Sequence, residues 1–428
     1  GGLMTTPSEK HAWSSRRLHF IGIGGAGMSG LALVCHGLGA TVTGSDRADS
    51  SYMERLRRAG IEPAVGHLPG NVPERAEVVV SSAIGADNPE LALARERELS
   101  VITRGGLLAE ICAEKRLLAV AGTHGKTTTT AMAVWALRAL GADPAFFIGG
   151  EVPGLGDRGE AANAGWGEGE WVVAEADESD GSFLALKPEV AVITNLEMDH
   201  HSHWGSITEL RSAFEEFAAG ARVAEFDAGS PGPERLSLAV PGHHNVLNAR
   251  AALAGIELAG GDLTAAAVSL AEFPGVRRRL ELKGEAGGSA VYDDYAHHPT
   301  ELRAALAALR ELGGERLIAV FQPHLYSRTK AFAEQFGAAL ALADEAIVLD
   351  VYAAREEPVG DLAGVSGLLV ARAAADRMGG RPVVWAPTLA QAHEAALSRL
   401  GSGRVLATIG AGDVFTLADS LVGGGAGP

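Results

Sequence analysis

A glycine-rich loop with one lysine and four consecutive threonines is the part of this sequence best suited to chemistry. Residues 120–130 read Val-Ala-Gly-Thr-His-Gly-Lys-Thr-Thr-Thr-Thr. The backbone N–H groups of such a loop and of the following helix bind phosphate oxygens, while Lys126 adds positive charge and the Thr127 hydroxyl can hold Mg²⁺. The common spacing Gly-x4-Gly-Lys-Ser/Thr fails because Val120 occupies the first glycine position. Residues 122–127 are therefore predicted to form a shorter phosphate loop.

Two acidic segments follow apolar runs in the same region and suit a divalent cation. Residues 175–180 read Glu-Ala-Asp-Glu-Ser-Asp, and residues 197–201 read Glu-Met-Asp-His-His. Beside a Gly-Lys-Thr loop, such oxygen ligands favour a hydrated Mg²⁺ that bridges ATP phosphates. Two other interpretations stay open. The acids can be solvated charges at strand ends, or His200, His201 and His203 can form a zinc cluster, although no thiolate or regular His-x3-His spacing supports it.

A second glycine-rich turn lies near the start of the chain. Gly22, Gly24 and Gly27 form the pattern Gly-x-Gly-x-x-Gly between a predicted strand, residues 18–21, and a predicted helix, residues 28–38. In this context the first glycine permits a tight turn, the second lets the backbone approach a diphosphate, and the third allows close helix–strand packing. The turn therefore predicts a nucleotide site, for NAD or for another nucleotide diphosphate.

Polar residues at strand ends extend this predicted nucleotide site. Asp46 closes the strand that follows the helix, and a predicted strand over residues 78–84 carries Ser81 and Ser82. Ligands of open α/β sheets bind at the carboxyl ends of parallel strands, although two serines can also simply end a strand.

The second half of the chain contributes further candidates for anion binding. Asn245 and Asn248 share one face of a predicted helix, or they are a cap and a surface amide. The arginines at 277–279 are of a kind usually solvated, yet one of them could clamp the γ-phosphate of ATP. Strands are predicted at residues 290–292, 317–321, 346–351, 383–385 and 405–409. Other polar side chains lie at or just beyond the carboxyl ends of these strands, at residues 293–301, 322–329, 350–356 and 410–413.

Alternating strands and helices must position these groups. This alternation predicts the α/β class with mostly parallel sheets. Three domains are expected, of residues 1–115, 116–285 and 286–428. The first and third are predicted to be Rossmann-like, and the central one is predicted to be a P-loop ATPase domain.

Composition narrows the function classes. The 428 residues are 47% hydrophobic, so the chain can bury several large cores, and the net charge of −17 argues against a nucleic-acid-binding surface. The sequence has no uninterrupted apolar run of roughly 18 residues, and it does not open with a charged segment followed by an apolar one, so neither a membrane span nor a secretory leader is expected. Two cysteines cannot make a disulfide framework. Small-molecule partners and a reducing cytoplasm are therefore expected. Residues 1–3, ahead of Met4, are expected to be a cloning remnant.

Taken together, these motifs resemble those of the cytoplasmic peptidoglycan amino-acid ligases, the Mur ligase family. The resemblance runs almost from end to end, through residues 19–30, 122–130, 175–179, 194–200, 244–248, 278–279, 293–299 and 321–324. Any one motif is a modest signal, and their number and order carry the assignment. The turn Gly-Ile-Gly-Gly-Ala-Gly-Met-Ser-Gly and the loop Gly-Thr-His-Gly-Lys resemble most the member that adds L-alanine.

The resemblance implies an ATP-dependent ligase that joins L-alanine to the lactyl carboxylate of UDP-N-acetylmuramate through an acyl phosphate, in cytoplasmic peptidoglycan synthesis. It implies that the first domain holds the UDP-sugar rather than NAD. The central domain would bind ATP and Mg²⁺, and the third would close over both and bring the amino acid. Nucleic acid and membrane are not implied as partners, and either a monomer or a homodimer agrees with the resemblance.

Carried over residue by residue, the resemblance implies a set of site residues. The catalytic residues would be Lys126, Glu175, His200 and Arg279. The ATP-binding residues would be Gly122, Thr123, His124, Gly125, Lys126, Thr127, Thr128, Asn245, Asn248, Arg279 and Asp294. The UDP-sugar-binding residues would be Gly22, Gly24, Gly25, Ala26, Gly27, Met28, Ser45, Asp46, Ser81, Ser82 and Ala83. The alanine carboxylate would lie near His324 and Arg328, and the metal ligands would be Thr127, Glu175 and His200.

Two departures from the family pattern and three rival functions stay open. Leu325 stands where some members carry a second arginine, and residues 225–238 replace a longer segment, by natural trimming or by a gap in the chain. The base that deprotonates the amine would be His200 or His324. The rival functions are an NAD-dependent dehydrogenase, a non-catalytic ATP switch or scaffold, and a sibling ligase that couples a tripeptide during wall recycling.

Overall fold

The structure is a computed structural model, and it describes residues 12–179, 181–197, 203–226 and 236–424. Strands and helices alternate around three separate sheets, which confirms the predicted α/β class. The chain divides into two compact units, one of residues 1–237 and 248–271 and the other of residues 238–247 and 272–428. The first unit contains two of the sheets, and the second unit contains the third.

A five-stranded parallel sheet begins the first unit. Its strands are β1 (Arg17–Ile21), β2 (Thr41–Asp46), β3 (Ala64–Val65), β4 (Glu77–Val80) and β5 (Val101–Thr103). Its helices are α1 (Ala26–Gly37), α2 (Ser51–Arg58), α3 (Pro89–Glu96) and α4 (Arg104–Cys112). The strand order is β3-β2-β1-β4-β5. Because the order reverses between β1 and β4, the turn after β1 lies where open α/β sheets bind ligands.

A six-stranded sheet completes the first unit. Its strands are β6 (Arg116–Ala121), β7 (Ala145–Val152), β8 (Ala162–Gly165), β9 (Trp171–Glu175), β10 (Val190–Ile193) and β11 (Arg222–Glu225). Helices α5 (Lys126–Ala139) and α6 (Ile207–Phe217) accompany it. The order is β11-β10-β6-β9-β7-β8, and all pairs are parallel except β7 with β8. The neighbours β9 and β10 flank β6, so both acidic segments begin at the edge where the phosphate loop leaves β6.

The second unit is built on another six-stranded sheet. Its strands are β12 (Glu281–Ala286), β13 (Ser289–Asp294), β14 (Arg316–Phe321), β15 (Glu345–Val348), β16 (Val383–Trp385) and β17 (Arg404–Ile409). Helix α7 (His243–Leu258) begins in this unit and continues in the first, which also holds α8 (Leu263–Ser269). The other helices are α9 (Pro299–Glu311), α10 (Tyr326–Leu340), α11 (Leu368–Arg377), α12 (Leu389–Leu397) and α13 (Phe415–Gly423). The strand order is β12-β13-β17-β14-β15-β16.

Two predicted strands are shorter than expected. The strand predicted over residues 78–84 ends at Val80, because the Ile84 N–H donates to the Ser81 carbonyl and closes a turn. The strand predicted over residues 346–351 ends at Val348. Within the described residues, no helix is both long and apolar enough to cross a bilayer.

Both cysteines lie in the apolar core of the first unit. Cys35 is on α1 and Cys112 ends α4, and both are free thiols. Burial raises the pKa of each thiol to about 12. Both side chains therefore pack as small apolar groups.

Candidate active site

The phosphate loop connects β6 to α5 and depends on two glycines with positive φ. Gly122 has φ of +135° and Gly125 has φ of +81°. A Cβ at Gly122 would lie 2.0 Å from Thr194 Oγ1, and a Cβ at Gly125 would lie 2.3 Å from Asn248 Oδ1. Only glycine fits at either position without rearrangement of these neighbours. The strand–loop–helix arrangement expected for a phosphate cradle is present.

Lys126 begins α5, and its ammonium is held inside the loop. Lys126 Nζ donates to the Gly122 carbonyl at 2.6 Å and to Glu178 Oε1 at 3.1 Å. Burial would lower the pKa of Lys126, but the carboxylates of Glu178, Asp177 and Glu175 together raise it above its ordinary value. The ammonium is therefore charged at neutral pH. Glu178 belongs to the predicted acidic segment but was not among the predicted site residues.

Thr127 is the threonine that meets the acidic end of β9. Its hydroxyl lies 2.9 Å and 3.0 Å from the two Glu175 carboxylate oxygens, and the Gly149 N–H donates to Glu175 Oε2 at 2.7 Å. A hydroxyl and a carboxylate beside a phosphate loop are the hard oxygen donors that Mg²⁺ prefers, so these residues fit that ion. The third predicted metal ligand, His200, lies outside the described residues.

The other threonines of the run turn inward. Thr130 Oγ1 donates to the Lys126 carbonyl at 2.7 Å, and Thr129 Oγ1 lies 3.4 Å from Asn248 Oδ1. Thr128 is buried as well. Asn248, a predicted ATP-binding residue, therefore supports the phosphate loop and the first turn of α5.

The segment after β10 forms one wall of the loop. The His124 N–H donates to Asn195 Oδ1 at 2.8 Å, and His124 Nε2 lies 3.0 Å from a Glu197 carboxylate oxygen. Thr123 Oγ1 donates to the Glu197 carbonyl at 2.9 Å. The side chains of Thr123 and His124 are therefore directed into this wall and fix the shape of the loop.

The first glycine-rich turn closes on the end of β2. Gly22 has φ of +83°, and the Gly22 and Ile23 N–H groups both donate to the Ser45 carbonyl, at 2.8 Å and 3.0 Å. The Gly24 N–H donates to Asp46 Oδ2 at 2.9 Å. The Asp46 carboxylate thus accepts from the N–H of Gly24, the glycine that was predicted to let the backbone approach a diphosphate.

Two residues predicted to bind the UDP-sugar have buried side chains. Met28 is part of the apolar core, and Ser45 is fully buried. Their predicted contacts with the UDP-sugar stay predictions, and in this structure both side chains are directed away from solvent. In contrast, Ser81, Ser82 and Ala83 form the turn after β4, and the side chains of Ser82 and Ala83 are exposed to solvent.

Arg104, the first residue of α4, is a cation that the sequence predictions missed. A Cβ at Gly27 would lie 3.4 Å from Arg104 Cδ, and Arg104 Nη2 lies 3.7 Å from Asp177 Oδ2. The guanidinium therefore lies between the glycine-rich turn and the acidic segment. The close packing predicted for Gly27 belongs instead to Gly30, where a Cβ would approach Ala164 Cβ to 2.9 Å.

Asn163 of β8 is a second missed residue, and it ties the glycine-rich turn to the central sheet. Its Nδ2 donates to the Ala26 carbonyl at 2.8 Å, and its Oδ1 accepts from Arg55 Nη1 at 2.9 Å. The side chain is buried, and each end of the amide has a partner. Asn163 lies in a Gly- and Ala-rich segment with no motif, so the sequence offered no signal for it.

In the second unit, Asp294 and Arg279 come together. The Asp294 carboxylate accepts from the N–H groups of Leu280 and Ala296, both at 2.8 Å. Burial raises the pKa of Asp294 to about 6, although the charge of Arg279 opposes that shift. The Arg279 guanidinium lies over the Tyr295 ring, with Cζ 5.2 Å from the ring centroid. The loop before β12 is thereby fixed with Arg279 half-buried.

The start of α7 carries Asn245 and a histidine of unusual environment. Asn245 Nδ2 donates to the Pro241 carbonyl at 2.7 Å. Burial lowers the pKa of His244 to about 4, and the charges of Arg279 and His243 act in the same direction. His244 is therefore a neutral imidazole at neutral pH.

His324 and Arg328, predicted to lie near the amino-acid carboxylate, are in contact. Arg328 Nη1 lies 3.2 Å from His324 Nδ1, and the His324 ring stacks on Tyr352 at 5.8 Å. Arg328 is nearly buried. Because a guanidinium only donates, His324 Nδ1 is the acceptor. His324 therefore cannot take a proton at Nδ1 while this bond persists, which weakens its candidacy as the general base.

Three family models match successive parts of the chain. They are described as Mur ligase family, catalytic domain (residues 17–116), Mur ligase middle domain (residues 120–227) and Mur ligase, glutamate ligase domain (residues 278–412).

Curated relatives match over nearly their whole length. A UDP-N-acetylmuramate–L-alanine ligase of Kineococcus radiotolerans is 46% identical, with 95% of each chain covered. A ligase of the same name from Renibacterium salmoninarum is 42% identical, with 93% of each chain covered.

Solved structures of two other ligases also resemble this chain. The UDP-N-acetylmuramate-alanine ligase of Thermotoga maritima has a TM-score of 0.80 and 31% identity, with 95% of this chain and 98% of that chain covered. A murein peptide ligase of Psychrobacter arcticus has a TM-score of 0.69 and 23% identity, with 96% of this chain and 98% of that chain covered. At this identity the similarity concerns the fold alone.

Proposed function

The chain belongs to the Mur ligase family, and we propose that it joins L-alanine to the lactyl carboxylate of UDP-N-acetylmuramate in an ATP-dependent ligation. The observation that carries this proposal is the grouping of Lys126, Thr127 and Glu175 around one phosphate loop. The glycine-rich turn at residues 22–27 lies in the same compact unit. Relatives at 41–46% identity carry the name of this ligase, which supports the choice of substrates.

The reaction must overcome the poor electrophilicity of a carboxylate. In the proposed sequence, a carboxylate oxygen of the UDP-sugar attacks the γ-phosphorus of ATP, and ADP leaves. The amine of L-alanine then attacks the acyl phosphate, and the tetrahedral intermediate collapses to the amide and inorganic phosphate. Both steps bring anions together, so the protein must supply positive charge at the transferring group. No protein nucleophile is needed.

The residues around the phosphate loop suit the first of these steps. Lys126 is charged and is the first residue of α5, where the N–H groups of the helix N-terminus also favour anions. Thr127 and Glu175, with His200 as the family resemblance suggests, would hold Mg²⁺, which when bound neutralises charge on the ATP phosphates. Arg104 supplies a further cation between the glycine-rich turn and the acidic segment.

We assign the other roles by the same resemblance. Residues 1–115 would hold the UDP-sugar, residues 116–285 would hold ATP, and residues 286–428 would contribute amino-acid contacts. Arg279, Asn245 and Asp294 would contact ATP, and His324 with Arg328 would bind the alanine carboxylate. A cytoplasmic location, where UDP-sugar and ATP are both available, follows from these substrates, and we expect a monomer or a homodimer.

Phosphate release from ATP tests the proposal directly. The purified chain is incubated with ATP and Mg²⁺, with and without UDP-N-acetylmuramate, and with L-alanine, L-serine, glycine or an L-Ala-γ-D-Glu-meso-diaminopimelate tripeptide in turn. We expect release that requires both the UDP-sugar and L-alanine, together with a product that mass spectrometry identifies as UDP-N-acetylmuramoyl-L-alanine. Release that ignores L-alanine, or that proceeds equally without the UDP-sugar, would contradict the proposal.

A further inference from the structure

The carboxylate of Glu90 lies at the centre of a buried network at the carboxyl edge of the first sheet. Glu90 and His19 side chains are both fully buried. Glu90 Oε2 accepts from His19 Nε2 at 2.9 Å and from Ser45 Oγ at 2.7 Å. Glu90 Oε1 accepts from Asn71 Nδ2 at 2.7 Å and from the Leu68 N–H at 3.1 Å. These four donors come from β1, from β2 and from the loop after β3.

The network fixes the charge of Glu90. Burial alone would raise the pKa of this carboxyl, but the hydrogen bonds from His19, Asn71 and Ser45 hold it below its ordinary value. Glu90 is therefore ionised at neutral pH. An ionised carboxylate has no proton to donate, so every hydrogen bond in the network points toward Glu90.

The direction of the Ser45–Glu90 hydrogen bond fixes the tautomer of His67. Ser45 has one hydroxyl proton, and Ser45 donates it in the hydrogen bond to Glu90. Ser45 Oγ also lies 2.8 Å from His67 Nδ1, so Ser45 must accept in this second bond and His67 Nδ1 must carry the proton. A neutral imidazole carries one proton, which leaves His67 Nε2 with a free lone pair.

His67 lies just beyond the carboxyl end of β3, at the edge where open α/β sheets bind ligands. It follows β3 and is half-buried, and among the described residues Ser45 is the hydrogen-bond partner of its ring. The apolar side chains of Val65 and Leu68 beside it are 55% and 62% exposed. The loop therefore offers an apolar surface and one acceptor nitrogen. Ser45, which bonds His67, precedes Asp46 on β2, and the Asp46 carboxylate accepts from the Gly24 N–H in the glycine-rich turn.

We propose that Glu90 is a positioning residue that acts through Ser45 to hold His67 in its Nδ1–H tautomer, so that His67 Nε2 accepts from an N–H of the nucleotide base. Uracil offers such a donor at N3, whereas N3 of cytosine is an acceptor and repels the same lone pair. The inference rests on the proposed function, which supplies a uridine nucleotide as the ligand.

Glu90→Gln tests the direction of the network with little change of volume. In this variant the side-chain oxygen of the introduced glutamine is expected to accept the hydrogen bonds from Asn71 and from the Leu68 N–H. The side-chain NH₂ of that glutamine then faces His19 and Ser45 and donates to both. The Ser45 hydroxyl proton is then free to bond His67 Nδ1, which moves the imidazole proton to Nε2. The variant should invert the tautomer, not merely loosen the loop.

The first measurement needs no ligand. Nitrogen-15 NMR of the histidine rings at pH 8, with the His67 signals assigned from a His67→Gln variant, reports which nitrogen is protonated. We expect the Nδ1–H form in the native chain and in Glu96→Gln, an exposed control on the same helix. We expect the Nε2–H form in Glu90→Gln. An Nε2–H form in the native chain, or an unchanged Nδ1–H form in Glu90→Gln, would overturn the proposal.

The second measurement is the affinity for UDP, for N3-methyl-UDP and for CDP. The native chain and Glu96→Gln should bind UDP about tenfold more tightly than either analogue, the value of one hydrogen bond. Glu90→Gln should lose this preference and keep its affinity for ATP. Equal preference for UDP in the native and Glu90→Gln chains would overturn the proposal.

Ser45→Ala provides a second route if Glu90→Gln does not fold. This variant removes the acceptor of the His67 Nδ1–H bond and leaves Glu90 with three donors. It should release His67 from the Nδ1–H form and abolish the preference for UDP over N3-methyl-UDP, and retention of both would overturn the proposal. A native chain that binds no UDP would contradict the proposed function instead, because the tautomer is measured without ligand.

Discussion

At the scale of single residues, Lys126 and Glu178 illustrate how a phosphate site is kept ready without its ligand. The ammonium and the carboxylate lie 3.1 Å apart, and their side chains are only 13% and 1% exposed. Each group offsets the desolvation of the other, so replacement of Lys126 removes the ammonium that faces the buried Glu178 carboxylate. We predict that phosphoryl transfer requires the Lys126 charge, whereas the pairing with Glu178 keeps that charge stable in a buried position.

Lys126→Met should therefore have two separable effects. It should reduce ligation by at least about a hundredfold, because a cation at the transferring phosphoryl group is lost, and it should lower the unfolding free energy by about 3–5 kcal/mol. Adding Glu178→Gln should restore most of the stability in urea unfolding but none of the activity. UDP affinity should remain native in both variants. A double variant that regains ligation, or a single variant of native stability, would contradict this division.

His244 gives a prediction for pH. Its pKa is about 4 in the folded chain and about 6.5 in an unfolded one, so between these values the unfolded chain binds more protons. The stability that neutral His244 contributes is thus complete above pH 6.5 and is lost as pH falls toward 4. An NMR titration of the ring, assigned from the signal missing in His244→Gln, should show a midpoint near 4. A midpoint near 6.5 would show that the imidazole is not desolvated.

At the scale of elements, α1 depends on the space left by Gly30. A Cβ there would meet Ala164 of β8 at 2.9 Å, whereas a Cβ at Gly37, in the same helix, would meet nothing within 4 Å. Both are helical glycines, so replacement by alanine gains the same helix propensity. The two positions differ in packing alone.

Gly37→Ala should accordingly stabilise the chain by about 0.5–1 kcal/mol. Gly30→Val should destabilise it by about 1–3 kcal/mol, because β8 must move, and it should weaken UDP binding through the neighbouring turn. Thermal unfolding and UDP titration of the two variants provide the measurement. Native UDP affinity in a folded Gly30→Val variant would show that this packing does not shape the turn.

The sequence predicts those elements whose signal is local. The run from β1 through the glycine-rich turn to α1 and β2, and the run from β6 through the phosphate loop to α5, are close to their predicted bounds. The hairpin β7–β8 was not predicted, because its Gly- and Ala-rich segment has no clear period. The strand expected to reach Ile84 ends at Val80, where a turn satisfies the backbone instead.

The candidate site was predictable to a similar degree. Lys126, Thr127 and Glu175 follow from motif and spacing, since each lies at the end of a strand or at the start of a helix. Ser45 was expected at the ligand, but its hydroxyl is buried against Glu90. Glu90 was not among the predicted site residues, and its buried carboxylate depends on donors from several distant segments. Contacts of that kind are set by tertiary packing and leave no local pattern.

At the scale of the whole molecule, the division into two compact units predicts how the chain responds to ligands. A ligand that binds only the folded form stabilises the part that carries its site, by about 2.7 kcal/mol at a hundredfold excess over Kd. Chains of this size seldom unfold in one cooperative step.

UDP should therefore protect the first compact unit selectively. Hydrogen exchange during heating, followed by mass spectrometry of peptides, should show a higher melting temperature for β1–β5 with UDP present. Peptides from β13–β17 should melt at an unchanged temperature. ATP with Mg²⁺ gives the matched comparison for peptides around Gly122–Thr127. Equal protection of peptides from both units by UDP would contradict independent unfolding.

The burial of Cys35 and Cys112 has a practical consequence for following such events in solution. Both thiols are enclosed in an apolar core, and their pKa of about 12 leaves almost no thiolate at neutral pH. Maleimide dyes should therefore not react with the native chain, which contains no other cysteine. A cysteine introduced at an exposed site such as Glu96 or Val359 would then carry the sole label, and fluorescence from it would report substrate binding without background.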